Sequence, residues 1–128
     1  MRIERLEQYR GLKAEIDAIE KLIDDLYRPI ASPSGNGASS GPSNPTEKTA
    51  LRIIALKERL RAKREKMMIE LEEILTWLQT VEDCEIRAII TEHYINGHSW
   101  NVTNFKVYHY YDYFYSRKRV MRYFGKEL

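Results

Sequence analysis

Two apolar stripes, separated by a segment that can bury almost nothing, set the main limit on what this chain can fold into. Tyr9, Leu12, Ile16, Ile19, Ile23 and Leu26 recur at spacings of three and four. That is the repeat of one helical face, close to a heptad seam, and it predicts a helix over residues 2–27. Leu22 is expected to widen the stripe. Gly11 is expected to weaken the helix by about 1 kcal/mol relative to alanine. Ile3 and Leu6 stand off the phase of the seam, so the first turn either packs on a different element or frays. A second stripe runs through Ile53, Leu56, Leu60, Met67, Leu71, Ile74 and Leu78. Arg64 falls on it, and is expected to snorkel or to pair with an acid of the first helix.

Residues 29–45 are rich in Ser, Gly and Pro and nearly devoid of bulky apolar side chains, the composition of a flexible linker. Its end reads as a helix start: Asn44 as cap, Pro45 at the first helical position, Glu47 where a capping box places a carboxylate. The second helix is expected to run to about Gln79. Neither helix buries its stripe alone, so the two are expected to fold back as an antiparallel hairpin, coiled-coil in character.

The remaining residues break into shorter helical patterns. A third helix is predicted over Asp83 to Ile95, capped by Thr80 or Asp83, with Ile86, Ile89, Ile90, Tyr94 and Ile95 inward and Asn96-Gly97 as its stop. Ser99 caps a fourth over Trp100 to Tyr108, with Trp100, Val102, Phe105 and either Val107 or Tyr108 inward. Residues 108–115 would suit a strand in isolation; between two helices they are expected to form an aromatic-lined turn. Ser116 is expected to cap a fifth helix over Arg117 to Phe124, ended by Gly125. The predicted fold is all-α: a long helical hairpin over residues 1–79, then a small helix-turn-helix unit over residues 80–128.

Charge is unevenly spread along this plan. Net charge is +2, yet residues 106–128 hold six basic and two acidic side chains, against one and four in residues 80–105. A basic segment on a nearly neutral chain points to nucleic acid. Four of those cations, Arg117, Lys118, Arg119 and Arg122, fall on the fifth helix, opposite Val120, Met121, Tyr123 and Phe124. A short helix basic on one face suits the major groove, where cations displace phosphate counterions and Arg reads guanine. Seven of the nine tyrosines lie in residues 94–123. Tyr94, Tyr108 and Tyr123 are expected in a small core. Tyr111, Tyr113 and Tyr115 are expected at the surface, as contacts to the DNA backbone or a platform on which single strands stack. The expected DNA contacts are therefore Ser116, Arg117, Lys118, Arg119 and Arg122, with Tyr113, Tyr115 and Lys106 beside them.

Other classes find little support. The single cysteine, Cys84, excludes an internal disulfide and is expected as a buried thiol. His93, His98 and His109 lack metal-ligand spacing, and no phosphate-cradling glycine loop or acid–base pair stands out. The expectation is no enzyme, no cofactor and no metal. No apolar run approaches the roughly 20 residues that span a bilayer, so a cytoplasmic protein is expected.

Leu6-Glu7-Gln8-Tyr9-Arg10-Gly11-Leu12-Lys13, the linker end Ser43-Asn44-Pro45-Thr46, and above all the stretch Glu85 to Trp100 (EIRAIITEHYINGHSW) resemble the RinA/ArpU-like transcriptional regulators of phages and prophages of Gram-positive bacteria. The resemblance covers roughly residues 5–105. It implies a C-terminal part similar to region four of sigma factors, a helix-turn-helix that binds promoter DNA. It also implies that Trp100 and Val102 open the first helix of that motif and that the helix from Ser116 reads DNA. The chain departs from the family where a short glycine-containing turn is usual and residues 108–115 stand instead. The expected partner is duplex DNA, with a homodimer as the expected assembly. The alternatives are a helical module that binds host RNA polymerase or a defence nuclease, and a small DNA-packaging subunit.

Overall fold

A computed structural model describes residues 1–28 and 46–126. They form five helices and no strand: α1 (Ile3–Tyr27), α2 (Glu47–Leu78), α3 (Cys84–Ile90, followed by a π-turn at Thr91–Ile95), α4 (Trp100–Tyr108) and α5 (Tyr115–Tyr123). The expected linker lies outside the described residues, as do Asn44 and Pro45. The cap seen on α2 is Thr46: its hydroxyl accepts from the Thr49 N–H at 3.2 Å and its carbonyl from the Ala50 N–H at 2.8 Å. No helix among the described residues is long and apolar enough to cross a membrane.

The chain divides into two compact units. One joins Met1–Ala14 to the chain from Lys66 onward. Its core gathers Ile3, Leu6 and Tyr9 from α1 with Ile74 and Leu78 of α2, Val81 of the connection that follows, Ile86, Ile89, Ile90 and Tyr94 of α3 and its π-turn, and Val120 of α5. The first turn of α1 therefore does not fray. Ile3 and Leu6 are off the long seam because they serve this second core, where each buried side chain contributes about 1.5–3 kcal/mol. Arg5 fastens the same turn through Glu70 at 3.0 Å and Glu73.

The other unit holds the described residues of Glu15–Glu65. Ile16, Ile19 and Ile23 are buried, as are Ile53 and Leu60. Glu15 pairs with Lys63 at 2.6 Å, and Tyr27 accepts from Lys57 at 3.0 Å, so contacts that rise along α1 fall along α2. Arg64 pairs with Glu20 at 2.6 Å, one of the two expected outcomes. Leu22 does not widen the stripe. It is 52% exposed, because two helices in contact cover a seam and leave its flank in water.

In α3, Asp83 is the cap: its carboxylate accepts from the Glu85 and Ile86 N–H groups at 2.9 and 3.3 Å. Thr80 turns back to donate to the Trp77 carbonyl. Cys84, expected to be buried, is exposed, since it opens the helix on the face away from the isoleucines. The Thr91 hydroxyl donates to the Arg87 carbonyl at 2.8 Å, a bond of the kind that distorts helices, and the ladder widens there into the π-turn, closed by Asn96 N–H to the Thr91 carbonyl at 2.8 Å. Gly97 follows at φ +80°, a left-handed stop that a Cβ would strain. Arg10 reaches over this end and donates to the carbonyls of His93, Gly97 and His98, placing a cation where the helix dipole is negative.

In α4, Ser99 caps as expected, its hydroxyl accepting from the Val102 N–H at 3.2 Å. The inward face differs from the expectation. Thr103 and Asn104 are fully buried, whereas Phe105 is 40% exposed. Trp100 and Val107 share the inward side with Thr103 and Asn104 at three- and four-residue spacing. Phe105 lies off that line.

Candidate nucleic-acid interface

α5 is positioned by three polar anchors rather than by a serine cap. Ser116, expected both to cap the helix and to face DNA, is instead fully buried one position inside it. Its hydroxyl donates to Asn104 Oδ1 at 2.6 Å. Asn104 in turn donates from Nδ2 to the Tyr110 carbonyl at 2.9 Å. Both side chains are shut off from water, so each bond is costly to lose. The start of α5 is served by Asp112, whose Oδ1 accepts from the Phe114 and Tyr115 N–H groups at 2.7 and 2.9 Å. Those two N–H groups, Tyr115 first, hold its carboxyl below the ordinary aspartate value. The turn itself needs a left-handed residue after α4, and His109 supplies it at φ +69°. Histidine tolerates that conformation better than most residues, which is how a turn with no glycine forms here.

Val120 and Ser116 mark the buried line of α5. The helical period then sets the directions of the cations. Lys118 and Arg122, four residues apart, are exposed on the outward side, with Tyr115 next to them. Arg117 is half-buried on one flank, where its charge acts on His93 and Tyr94. Arg119 is half-buried on the other flank. It pairs with Asp83 at 3.0 Å and with Glu85, and it donates to the Tyr108 hydroxyl at 2.7 Å. Arg119, expected as a DNA contact, is thus held by two carboxylates, Glu85 of α3 and its cap Asp83. Neither Lys118 nor Arg122 forms an ion pair among the described residues, though the Lys118 charge helps to lower the Asp112 pKa. Lys106 is exposed on α4.

The tyrosines divide nearly as expected. Tyr94 is fully buried, and burial raises its pKa. Tyr108 is half-buried under Arg119, with its pKa pushed up to about 12, mainly by burial. Tyr123, expected in the core, is exposed and meets Phe124 edge-on at 5.3 Å. Tyr111, Tyr113 and Tyr115 are exposed, and Tyr115 meets the Tyr108 ring edge-on at 5.0 Å. Phe105 lies flat on Tyr111, centroids 4.5 Å apart and planes 13° from parallel.

His93 is a structural residue that sequence reasoning did not find. It is buried, lies 3.5 Å from the Trp100 ring in a stack, and donates from Nδ1 to the His98 carbonyl at 2.8 Å. Burial, reinforced by the Arg10 charge, lowers its pKa to about 4. The unfolded chain takes up this proton near pH 6.5, and the folded chain resists it to about pH 4. Stability is thus full above pH 6.5 and falls as pH drops through that window, by about 2 kcal/mol near pH 5. Urea midpoints across the window should fall less for His93→Gln than for the parent chain. An identical decline in both would remove His93 as the cause.

No family model, curated protein or solved structure matches the chain.

Proposed function

We propose that this chain is a phage or prophage transcriptional regulator that binds duplex DNA through α5. In this reading α4, the turn and α5 form a helix-turn-helix, with Lys118 and Arg122 entering the major groove. Arg117, Lys106, Tyr113 and Tyr115 approach the backbone on either side. Residues 1–79 act as a helical hairpin that carries the reading head and offers a dimer or polymerase contact. The observation that carries the proposal is the exposed pair Lys118 and Arg122, neither held in an ion pair among the described residues, set on the outward side of a short helix whose own start is anchored by Asn104, Ser116 and Asp112. Ser116 and Arg119 have no part in it, the first being buried and the second neutralised. The resemblance of residues 85–100 to phage regulators supports the same reading.

Selection from a random duplex pool at fixed salt is expected to enrich one sequence, bound with an affinity that drops steeply as salt rises. Retention of no duplex even at low salt overturns the proposal. The rival reading, a module that binds a host protein such as RNA polymerase, draws on the exposed rings of the turn. It gains if the protein binds no DNA and holds that polymerase.

A further inference from the structure

Three rings of the turn between α4 and α5, and one on the last turns of α4, are left in water. Phe105, Tyr111, Tyr113 and Phe114 are exposed by 40, 61, 53 and 56%, and none belongs to the core cluster or to the side chains packed against it. Four large rings left in water on one short segment mark a contact surface. They are also held in place. The backbone beneath them is tied by Asn104 to the Tyr110 carbonyl and by the Phe114 and Tyr115 N–H groups to Asp112. Phe105 and Tyr111 already lie parallel to each other, and Phe114 meets Tyr113 edge-on at 5.2 Å.

The charges around the rings select the occupant. Lys106 adjoins Phe105 in the chain, and Lys118 and Arg122 follow on the outward side of α5. None of the three forms an ion pair among the described residues, although Lys118 lies near enough to Asp112 for its charge to act on that carboxyl. Asp112, in the middle of the turn, spends one carboxylate oxygen on its own backbone. The matching ligand carries flat apolar faces and negative charge together. Within a duplex the base faces are hidden by their neighbours; in an unpaired strand they are open to aromatic side chains.

We propose that Phe105, Tyr111, Tyr113 and Phe114 form a stacking platform for unpaired nucleic-acid bases, with Lys106, Lys118 and Arg122 holding the phosphates. This goes beyond groove binding by α5 and does not depend on it. Stacking of this kind is worth on the order of 10- to 100-fold in affinity per base.

The test uses the full chain and fluorescence anisotropy with four labelled probes: a short duplex, the same duplex with a central unpaired bubble, oligo(dT) and oligo(U). The bubble and oligo(dT) are expected to bind more tightly than the duplex and to quench tyrosine fluorescence. The Tyr111→Ala/Phe114→Ala variant is expected to lose on the order of 10- to 100-fold on the unpaired probes and nothing on the duplex. Both rings are exposed, so the variant should keep its circular dichroism spectrum and melting temperature. Tyr111→Trp/Phe114→Ala should keep part of the binding that Tyr111→Ala/Phe114→Ala loses, because tryptophan still offers a stacking face. Comparing oligo(U) with oligo(dT) tells RNA from DNA as the source of the bases. Duplex binding with no preference for unpaired probes overturns the platform and leaves groove binding standing. Binding of oligo(dT) without the duplex does the reverse. Equal losses on duplex and bubble in the double variant would place the rings in the groove contact and overturn the platform. Capture of host RNA polymerase with no nucleic-acid binding overturns both.

Discussion

Replacing Leu6 with alanine is expected to lower the stability of the fold by about 2–5 kcal/mol, one of the two largest effects anticipated for this chain. Leu6 has no exposure to solvent. It sits with Ile3 and Tyr9 on one side and with Ile74, Leu78, Val81 and the isoleucines of α3 on the other. Deleting its branched end removes the transfer free energy of three carbons and leaves a void between elements that cannot all close in at once. Since domains of this size hold only about 5–15 kcal/mol in total, the urea midpoint should fall by a large fraction of its value. The paired control is Leu22→Ala. Leu22 is 52% exposed, and its truncation should stay within about 0.5 kcal/mol. Equal midpoint shifts in the two variants would contradict the assignment of α1's first turn to a core of its own.

The contrast between Leu6 and Leu22 also explains what could be read in advance. Periodicity located the longer helices, because a 3.6-residue repeat survives whatever packs against it, while α4 was legible from its Ser99 cap and α5 from its basic face and the Gly125 stop. Their capping signals at Asp83, Ser99, Gly97 and Gly125 were local and legible for the same reason. Phase was harder. Leu22 adjoins a strong seam and looks like part of it, while Leu6 looks out of place, because spacing within one helix cannot reveal how many partners that helix has. The interior of α4 failed for a related reason. Burying Thr103 and Asn104 while leaving Phe105 in water reverses the hydropathy rule. The Thr103 hydroxyl has no hydrogen-bond partner among the described residues; Asn104 is tolerated because it meets Ser116 and the Tyr110 carbonyl, residues 12 and 6 positions away. No local pattern announces such a bond. The same holds for the candidate interface. Lys118 and Arg122 were legible as a basic helical face. The neutralisation of Arg119 was not, since Asp83 and Glu85 lie 36 and 34 positions before it in the chain.

That difference among neighbouring cations gives the second large effect. Lys118→Ala/Arg122→Ala is expected to weaken binding of the selected duplex on the order of 100-fold at moderate salt. Removing a cation that neutralises one phosphate should lower the slope of log affinity against log salt by about 0.9, and so by up to about 1.8 for the pair if both meet phosphates. If Arg122 reads a base instead, the slope should change by about half as much while discrimination among sequences relaxes. Both side chains are exposed and outside any ion pair among the described residues, so the melting temperature of this variant should stay close to the parent's. Arg119→Ala should behave in the opposite way. It releases two carboxylates and the Tyr108 hydroxyl, which costs about 1 kcal/mol of stability in a half-exposed network. Because its charge is already spent on α3, duplex affinity should change little and the salt slope should stay as it was. Titrations of the three proteins at several salt concentrations, beside their thermal melts, separate the two roles. Unchanged affinity and slope in the Lys118/Arg122 variant, or a loss of slope in the Arg119 variant, would mean that α5 does not meet DNA with the side its fold turns outward.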